Sequence, residues 1–406
     1  MTSVTPTVLQ LTEWQPLLVE RSRLGDDVIG LLATGWSHVV RLEGDPLGGG
    51  GVRLIPLGKV GVVRITSDLE LRIAPKIPIR NLFRMIERVW DLDVIDPENL
   101  TRSVSLPEIL DSLALIFARR VIARTRRGLW RGYRSRSEAL GTVRGRIDMP
   151  RHLRRPRADR IECTWGEQVL DNRENRVILA TLDRLLRTPS LSERTRPTLR
   201  AAWRGLLSRG VTIDRGASRD GDLGTTLNAE YRRDYRVLHA LCRFFLENTA
   251  PSHTAGADLS PSFLIDMPHL YERYVAVELE ELLARSRPDL SLSRQERARV
   301  GERGEVTFIF DILIRDRRSG ETLMVIDTKY RLPEGKVNRD IYQVVAYAAQ
   351  QNCREALLLY PEAPGEKLDV KVGDVRVRSG VFRVDGGSTE EGGDTFLDLS
   401  EWNVVL

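Results

Sequence analysis

The chain has 406 residues, 41% hydrophobic and 29% charged, with a formal net charge of +5, the balance of a soluble globular protein of two or three domains. Cys163, Cys242 and Cys353 lie far apart with no C-x-x-C, which excludes a disulfide scaffold and a cysteine-ligated zinc site. The apolar stretch 28–40 is broken by Gly30, Gly35 and His38 and falls short of the roughly 20 residues of a membrane span. The first ten residues also lack the basic residues of a secretory signal, so a cytoplasmic protein with no membrane partner is expected.

The first hundred residues are β-rich in pattern. Apolar and polar residues alternate over 60–66 and 69–73, joined by Ser67-Asp68, as in a half-buried hairpin. Residues 39–42 and 52–57 flank a loop whose tip is Gly48 to Gly51. No Gly-Lys-Ser/Thr follows it, and the chain has no G-x-x-x-x-G-K-[ST] anywhere, so the chain itself is expected to bind no nucleotide. Pro75 and Pro78 end the sheet, and Asn81 is placed to cap a helix to about Asp91.

The middle is expected to be largely helical. Leu110, Leu113, Ala114, Phe117, Val121 and Ile122 form one stripe of a helix over 106–126. Further helices fit 166–187 and 229–248, with a polar loop over 210–224. Residues 251–261, rich in Ser, Gly and Pro, read as a domain boundary.

Lys occurs at only six positions, 59, 76, 329, 336, 367 and 371, leaving 62 − 6 = 56 Arg. A GC-rich genome, which favours Arg codons, explains the bias itself; a Lys retained against it points to a need for a compact ammonium instead of a planar fork. Arg119 to Arg160 holds 15 Arg against Glu138, Asp148 and Asp159. Such concentrated positive charge suits a polyanion; a solvated helix face followed by a basic loop is the other reading. Arg144, Arg146, Arg151, Arg154 and Arg155 are the candidate DNA contacts, with binding expected to weaken as salt rises.

From Asp266 the pattern is helix, strand, strand, helix, strand. Pro268 suits a first helical turn, 305–314 and 323–330 pair as a hairpin around turn residues 317–321, 338–350 is a helix and 356–360 a buried strand. Asp327 and Lys329 share a strand face. A loop over 317–321 sets Asp311 opposite Asp327, with Cβ atoms about 5 Å apart. Two carboxylates so close, inside apolar strands, call for a cation between them, and hard oxygen ligands suit Mg²⁺, with Mn²⁺ an alternative. A bound metal lowers the pKa of a water, and Lys329 on the same face orients that water or offsets transition-state charge. Glu272 shares its helical stripe with Val275, Ala276, Leu279 and Leu283, making it either a further metal ligand or the partner of a buried Arg. Gln343 and Tyr347, four apart, lie one above the other on the next helix, where they order the site, contact DNA or pack.

These residues, Asp311, Asp327-Thr-Lys329 and Gln343-x-x-x-Tyr347 with Glu272 upstream, resemble the PD-(D/E)xK nuclease core of the RecB-like branch, with Phe310 where that superfamily's name has Pro. Together with 60–63, 69–77, 81–85, 171–177, 270–275 and 340–347, they resemble the McrC family, the nuclease subunit of McrBC-type restriction systems, over roughly residues 55–360. The resemblance implies a Mg²⁺-dependent DNA endonuclease of a type IV system directed at modified cytosine. It implies catalytic roles for Asp311, Asp327, Lys329, Gln343 and Tyr347, metal ligation by Asp311, Asp327 and Glu272, and double-stranded DNA as substrate. It further implies a McrB-like hexameric AAA+ GTPase ring engaged through the amino-terminal domain, with the Gly48–Gly51 loop part of a projection into the ring. The expected fold is α/β multidomain: a β-rich partner-binding domain (1–105), a helical Arg-rich region contacting DNA (106–255) and a restriction-endonuclease-like α/β domain (256–406). A non-catalytic activator of a ring NTPase and a free-standing RecB-like repair nuclease are the alternatives.

Overall fold

A computed structural model describes residues 6–45, 50–92, 105–154, 159–188, 190–213, 227, 229–250, 262–300, 305–331, 338–362 and 367–384. The expected tip at Gly48 and Gly49 and the boundary at 251–261 lie outside the described residues. The chain forms two units, one of residues 1–91 with 264–406 and the other of 92–263. The three consecutive domains expected from the sequence are thus regrouped, because the first and last spans share one unit.

The first span opens with β1 (Thr7–Thr12) and β2 (Leu17–Glu20), then α1 (Arg21–Leu24) and α2 (Asp26–Gly35). β3 (Val40–Gly44), β4 (Gly51–Pro56), β5 (Lys59–Arg64) and β6 (Leu69–Ala74) lead into α3 (Ile79–Trp90). The expected hairpin is β5 with β6, antiparallel, Val63 opposite Leu71, and β1 adds to β6 in parallel. β2, β4 and β3 form a second, antiparallel sheet. Leu11, Leu32, Trp36, Leu54, Val63 and Leu71 share one core, so the broken apolar stretch at 28–40 is a core helix and strand start. α3 begins two residues before Asn81: Pro78 O accepts from the amides of Asn81 and Leu82 at 2.9 and 3.2 Å, and Asn81 is buried in the first turn. Proline's fixed φ ends the extended segment there.

The second unit contains α4 (Leu106–Arg127), β7 (Gly132–Leu140), β8 (Arg146–Ile147), α5 (Met149–Arg154), β9 (Ile161–Val169), α6 (Arg173–Arg187), α7 (Arg196–Leu207), α8 (Ala229–Asn248) and β10 (Thr249–Ala250). α4, α6, α7 and α8 pack on one another. The expectation of a largely helical middle fails over 132–169, where β7, β9 and β8 form an antiparallel sheet. β7 exposes six of its nine residues and buries none, so no apolar period of two marks it. The helix expected from Gly166 starts instead at Arg173, because Asn172 adopts an extended cap conformation and its side chain accepts from Asn175 N.

A buried clasp fixes the junction of this sheet with the helices. Asn175, 0% exposed, donates through Nδ2 to Trp130 O and Leu170 O at 2.9 and 2.8 Å and accepts from Tyr235 Oη at 2.5 Å. Tyr235 Oη in turn accepts from Trp130 N, and Asn172 Nδ2 also donates to Trp130 O. Both backbone polar groups of Trp130 are therefore satisfied by side chains.

The chain returns to the first unit with β11 (Ser262–Asp266), α9 (Met267–Ser286), β12 (Leu290–Val300), β13 (Val306–Asp316), β14 (Thr322–Thr328), α10 (Asn338–Gln350), β15 (Glu355–Tyr360), β16 (Asp369–Val372) and β17 (Val375–Val381). β11 lies beside β5. Gly58, with φ +62, makes the turn before β5; its carbonyl accepts from Met267 N, and an added Cβ would meet Trp14 and Pro268. Lys59 pairs with Asp266 at 2.8 Å, and Arg88 of α3 bridges Glu278 and Glu281 of α9. Side chains from both ends of the chain thus hold one unit together. The second sheet of this unit runs β12-β13-β14-β15-β17-β16, with β14, β15 and β17 parallel. β12, β16 and β17 extend the expected helix–strand–strand–helix–strand order. β12 eluded the sequence pattern because its second half, Arg294-Gln-Glu-Arg-Ala-Arg299, carries almost no apolar residues to mark a buried face.

Glu13, just past β1, is 1% exposed. Burial pushes its carboxyl up to about 7, against opposing help from the Lys76 amide and ammonium. A raised acid favours the folded state when protonated. Stability should therefore fall as pH rises from 4.5 to about 7, by about 3 kcal/mol from this one group. Glu13→Gln should flatten that slope, measured as urea midpoints at pH 5 and 8; an unchanged slope would remove Glu13 as its cause.

Candidate active site

The β13–β14 hairpin places the two aspartates. The strands are joined by the expected loop 317–321, and past a register shift at Ile314/Arg315 Ile314 faces Met324 and Ile312 faces Ile326. The backbone ladder stops there, one residue short of Asp311 and Asp327. In its place Asp311 Oδ2 accepts from Thr328 N at 2.8 Å and from Thr328 Oγ1 at 3.0 Å. Asp327, 2% exposed, points into the space between β14 and α10. Its Oδ2 lies 2.6 Å from Lys329 Nζ yet receives no directed hydrogen bond.

α10 closes this space because Val344 and Ala348 anchor it on the core of Phe310, Leu313, Val325 and Leu358. Its polar residues one turn apart then face the strand end. Gln343 Oε1 accepts from Lys329 Nζ at 3.1 Å, while Nε2 donates to Tyr347 Oη at 3.0 Å and reaches Asp327 Oδ1 at 3.4 Å. The Tyr347 ring packs on Phe308 and Phe310 at 5.3 and 5.2 Å between centroids, which gives the Phe at the unusual position 310 a packing role. Asp340 is buried and holds Arg331 through two contacts of 2.7 and 2.8 Å. Asp311, Asp327, Lys329, Gln343 and Tyr347 are thus brought together.

The electrostatics favour an added cation. Burial, then the negative charges of Asp327 and Glu272, push Asp311 up to about 7. Burial also raises Asp327, opposed by the Lys329 ammonium. Glu272 adds negative charge to the surroundings of both aspartates, but its carboxylate is engaged by Gln295 Nε2 and lies 3.6 Å from His269 Nδ1. Among the described residues no three His, Cys, Asp or Glu side chains are spaced to hold a metal ion, so a three-carboxylate set with Glu272 is not assembled. Two acidic oxygen donors with one undirected buried oxygen fit a hard divalent cation that keeps water or substrate oxygens in its remaining positions.

Gln295 was missed in the sequence. It lies between Arg294 and Glu296, which pair with Ile312 and Phe310, and its φ of 52° removes it from the ladder. A left-handed residue other than Gly in a strand is uncommon, and here it sits across from Asp311. Its neighbours Arg294, Glu296 and Arg297 give no sign of this from sequence.

In the second unit, Arg144 stacks on Trp165 at 4.9 Å and Arg146 lies on β8. Gly145 between them, with φ +69, would push a Cβ to 2.6 Å from Thr164 O, so only glycine permits this approach of strand to loop. Arg151 is 3.5 Å from Glu162 and Arg154 is exposed at the end of α5; Arg155 lies outside the described residues. Tyr133, 75% exposed, stands on the same sheet. Arg134 and Arg136 spend part of their charge on Asp171 and Glu167, so the segment's positive excess at the surface is smaller than its count.

A family model described as McrBC 5-methylcytosine restriction system component matches residues 56–361. The chain is similar to the type IV methyl-directed restriction enzyme EcoKMcrBC of Escherichia coli strain K12, 24% identical over 268 residues, covering 63% of this chain and 74% of the relative. Its fold is similar to a chain in the half-complex of a tetradecameric assembly of Thermococcus gammatolerans McrB AAA+ hexamers with bound McrC. That match has a TM-score of 0.54 at 17% identity and covers 95% of this chain and 97% of that one. No helix among the described residues is long and apolar enough to cross a membrane.

Proposed function

The chain belongs to the McrBC 5-methylcytosine restriction system component family, and we propose that it is the subunit of such a system that hydrolyses DNA phosphodiesters. The observation that carries this reading is the convergence of Asp311, Asp327, Lys329 and Gln343 at the end of β14. This supports a PD-(D/E)xK restriction-endonuclease-like site in the unit that contains both chain ends.

Asp311 and Asp327 would hold Mg²⁺ or Mn²⁺, which supplies charge for the scissile phosphate and acidifies a bound water. Lys329, held between Asp327 and Gln343, presents an ammonium to charge developing on the phosphate. Gln343 fixes that ammonium by accepting from it and is itself fixed by Tyr347. Thr328 orients Asp311. The likeness to a chain from a McrB–McrC assembly supports a ring-forming AAA+ partner that supplies the motor. The exposed Arg and Tyr133 of the β7–β9–β8 sheet suit a polyanionic DNA backbone.

The test is plasmid cleavage with Mg²⁺ by the chain alone, by the chain with a McrB-type AAA+ partner plus NTP, and by that pair carrying Lys329→Ala. Cleavage is expected only with the wild-type pair, with a loss of about a hundredfold or more in the variant. Equal cleavage by the variant pair would move the chemistry to another chain.

A further inference from the structure

The residue after Lys329 turns its back on the site. Beyond β14 the Lys329 amide donates to Leu359 O at 2.8 Å, and Lys329 O accepts from Arg331 N at 2.8 Å, a tight turn centred on Tyr330. The three side chains diverge. Lys329 reaches Asp327 and Gln343, Arg331 holds Asp340, and Tyr330 is buried against the amino-terminal sheet.

There Tyr330 is gripped at both ends. Lys76 Nζ lies 4.5 Å above its ring and donates to its carbonyl at 3.5 Å. Its hydroxyl donates to Glu13 Oε2 at 3.3 Å, which also accepts from Lys76 N at 3.4 Å. Glu13 N donates to Ala74 O, so Glu13 and Lys76 continue the paired ends of β1 and β6. The Tyr271 ring of α9 packs on the far side at 5.7 Å, and its hydroxyl donates to Phe382 O.

This cluster is an expensive way to pack a tyrosine. Burial raises Glu13 and lowers Lys76, and Glu13 Oε1 has no hydrogen-bond partner. Apolar residues of the same volume would hold the ring at lower cost. They would not hold the Tyr330 carbonyl, which belongs to the turn that carries Lys329. A lysine on a flexible four-carbon stem needs its backbone fixed before it can address one oxygen.

We propose that Lys76 and Glu13 are positioning residues for Lys329: through Tyr330 they fix the turn after β14 and make the geometry of the site depend on the β1–β6 sheet. This rests on the cleavage reading above, so the test has one readout that does not need cleavage.

The full chain carrying Lys76→Met, Lys76→Arg, Glu13→Gln or Tyr330→Phe is compared with wild type in two ways. Deuterium exchange is followed across 325–331, and plasmid cleavage with Mg²⁺, the AAA+ partner and NTP is resolved into kcat and KM. Lys76→Met and Tyr330→Phe are expected to speed exchange at 329–331 about tenfold and lower kcat about tenfold with KM unchanged. Lys76→Arg and Glu13→Gln, which keep a cation and an acceptor, should restore most of both. Unchanged exchange at 329–331 in Tyr330→Phe, or acceleration spread evenly over the unit, would overturn the proposal. Faster local exchange in an assembly whose wild type does not cut would uphold the mechanical link and sink the cleavage reading alone. If Lys76→Met fails to fold, Tyr330→Phe carries the test.

Discussion

Asp327→Asn is expected to abolish DNA cleavage while leaving the fold intact. The substitution keeps the shape of a side chain that is 2% exposed and removes one of two carboxylates facing the same space. It also takes from Lys329 the anion 2.6 Å away. The loss should fall in kcat and reach about a thousandfold or more, equivalent to about 4 kcal/mol of transition-state stabilisation. Thermal stability should hold, because burial disfavours the Asp327 charge and a neutral amide escapes that penalty. Cleavage within tenfold of wild type, with the AAA+ partner and Mg²⁺ present, would show that Asp327 is a structural acid and not part of the chemistry.

Asn175→Ala is expected to damage the other unit. It deletes three buried hydrogen bonds at once and leaves Trp130 O, Leu170 O and the Tyr235 hydroxyl to find other partners. Trp130 O keeps one donor from Asn172. Leaving such groups short of partners costs roughly 1–3 kcal/mol each, so a destabilisation of about 4 kcal/mol follows, seen as a midpoint lowered by roughly 10 °C. The exposed sheet should loosen first, since Trp130 is the residue that enters β7. A shift below about 1 kcal/mol in denaturant titration would mean that the clasp is satisfied by other means.

Parts of this structure were legible in the sequence for identifiable reasons. α8 matches its expected bounds and α4 runs one residue past them, because both carry an apolar stripe between plain stop signals. Asp327 and Lys329 were legible because two residues apart on a strand means one face. Asp311 was legible through loop length, since the loop 317–321 is as expected and the frame past the register shift at Ile314/Arg315 pairs Ile312 with Ile326. The Arg-rich sheet was hidden because β7 buries no face, and pattern reading depends on a difference between faces. Glu272 was read correctly as inward on its stripe, yet its partners, Gln295 from a backbone outlier on β12 and His269 a turn earlier, are set by tertiary geometry. The Glu13–Tyr330 contact joins residues 317 apart. Nothing local foretells it, although the rarity of lysine had already marked Lys76.

The pairing of β5 with β11 has a consequence for synthesis. Residues 59–64 leave the ribosome with β6 on one side and nothing on the other, and the strand that covers that edge ends at Asp266. About 200 residues must be made first, a delay on the order of 10–40 seconds at elongation rates of about 5–20 residues per second. The intervening unit has its own helices and can fold during that wait. An unpaired edge of Val60, Val62 and Val63 is sticky in the meantime. Fragments stopped before residue 262 should therefore aggregate more readily than the full chain, and slow codons before that point would lengthen the exposure.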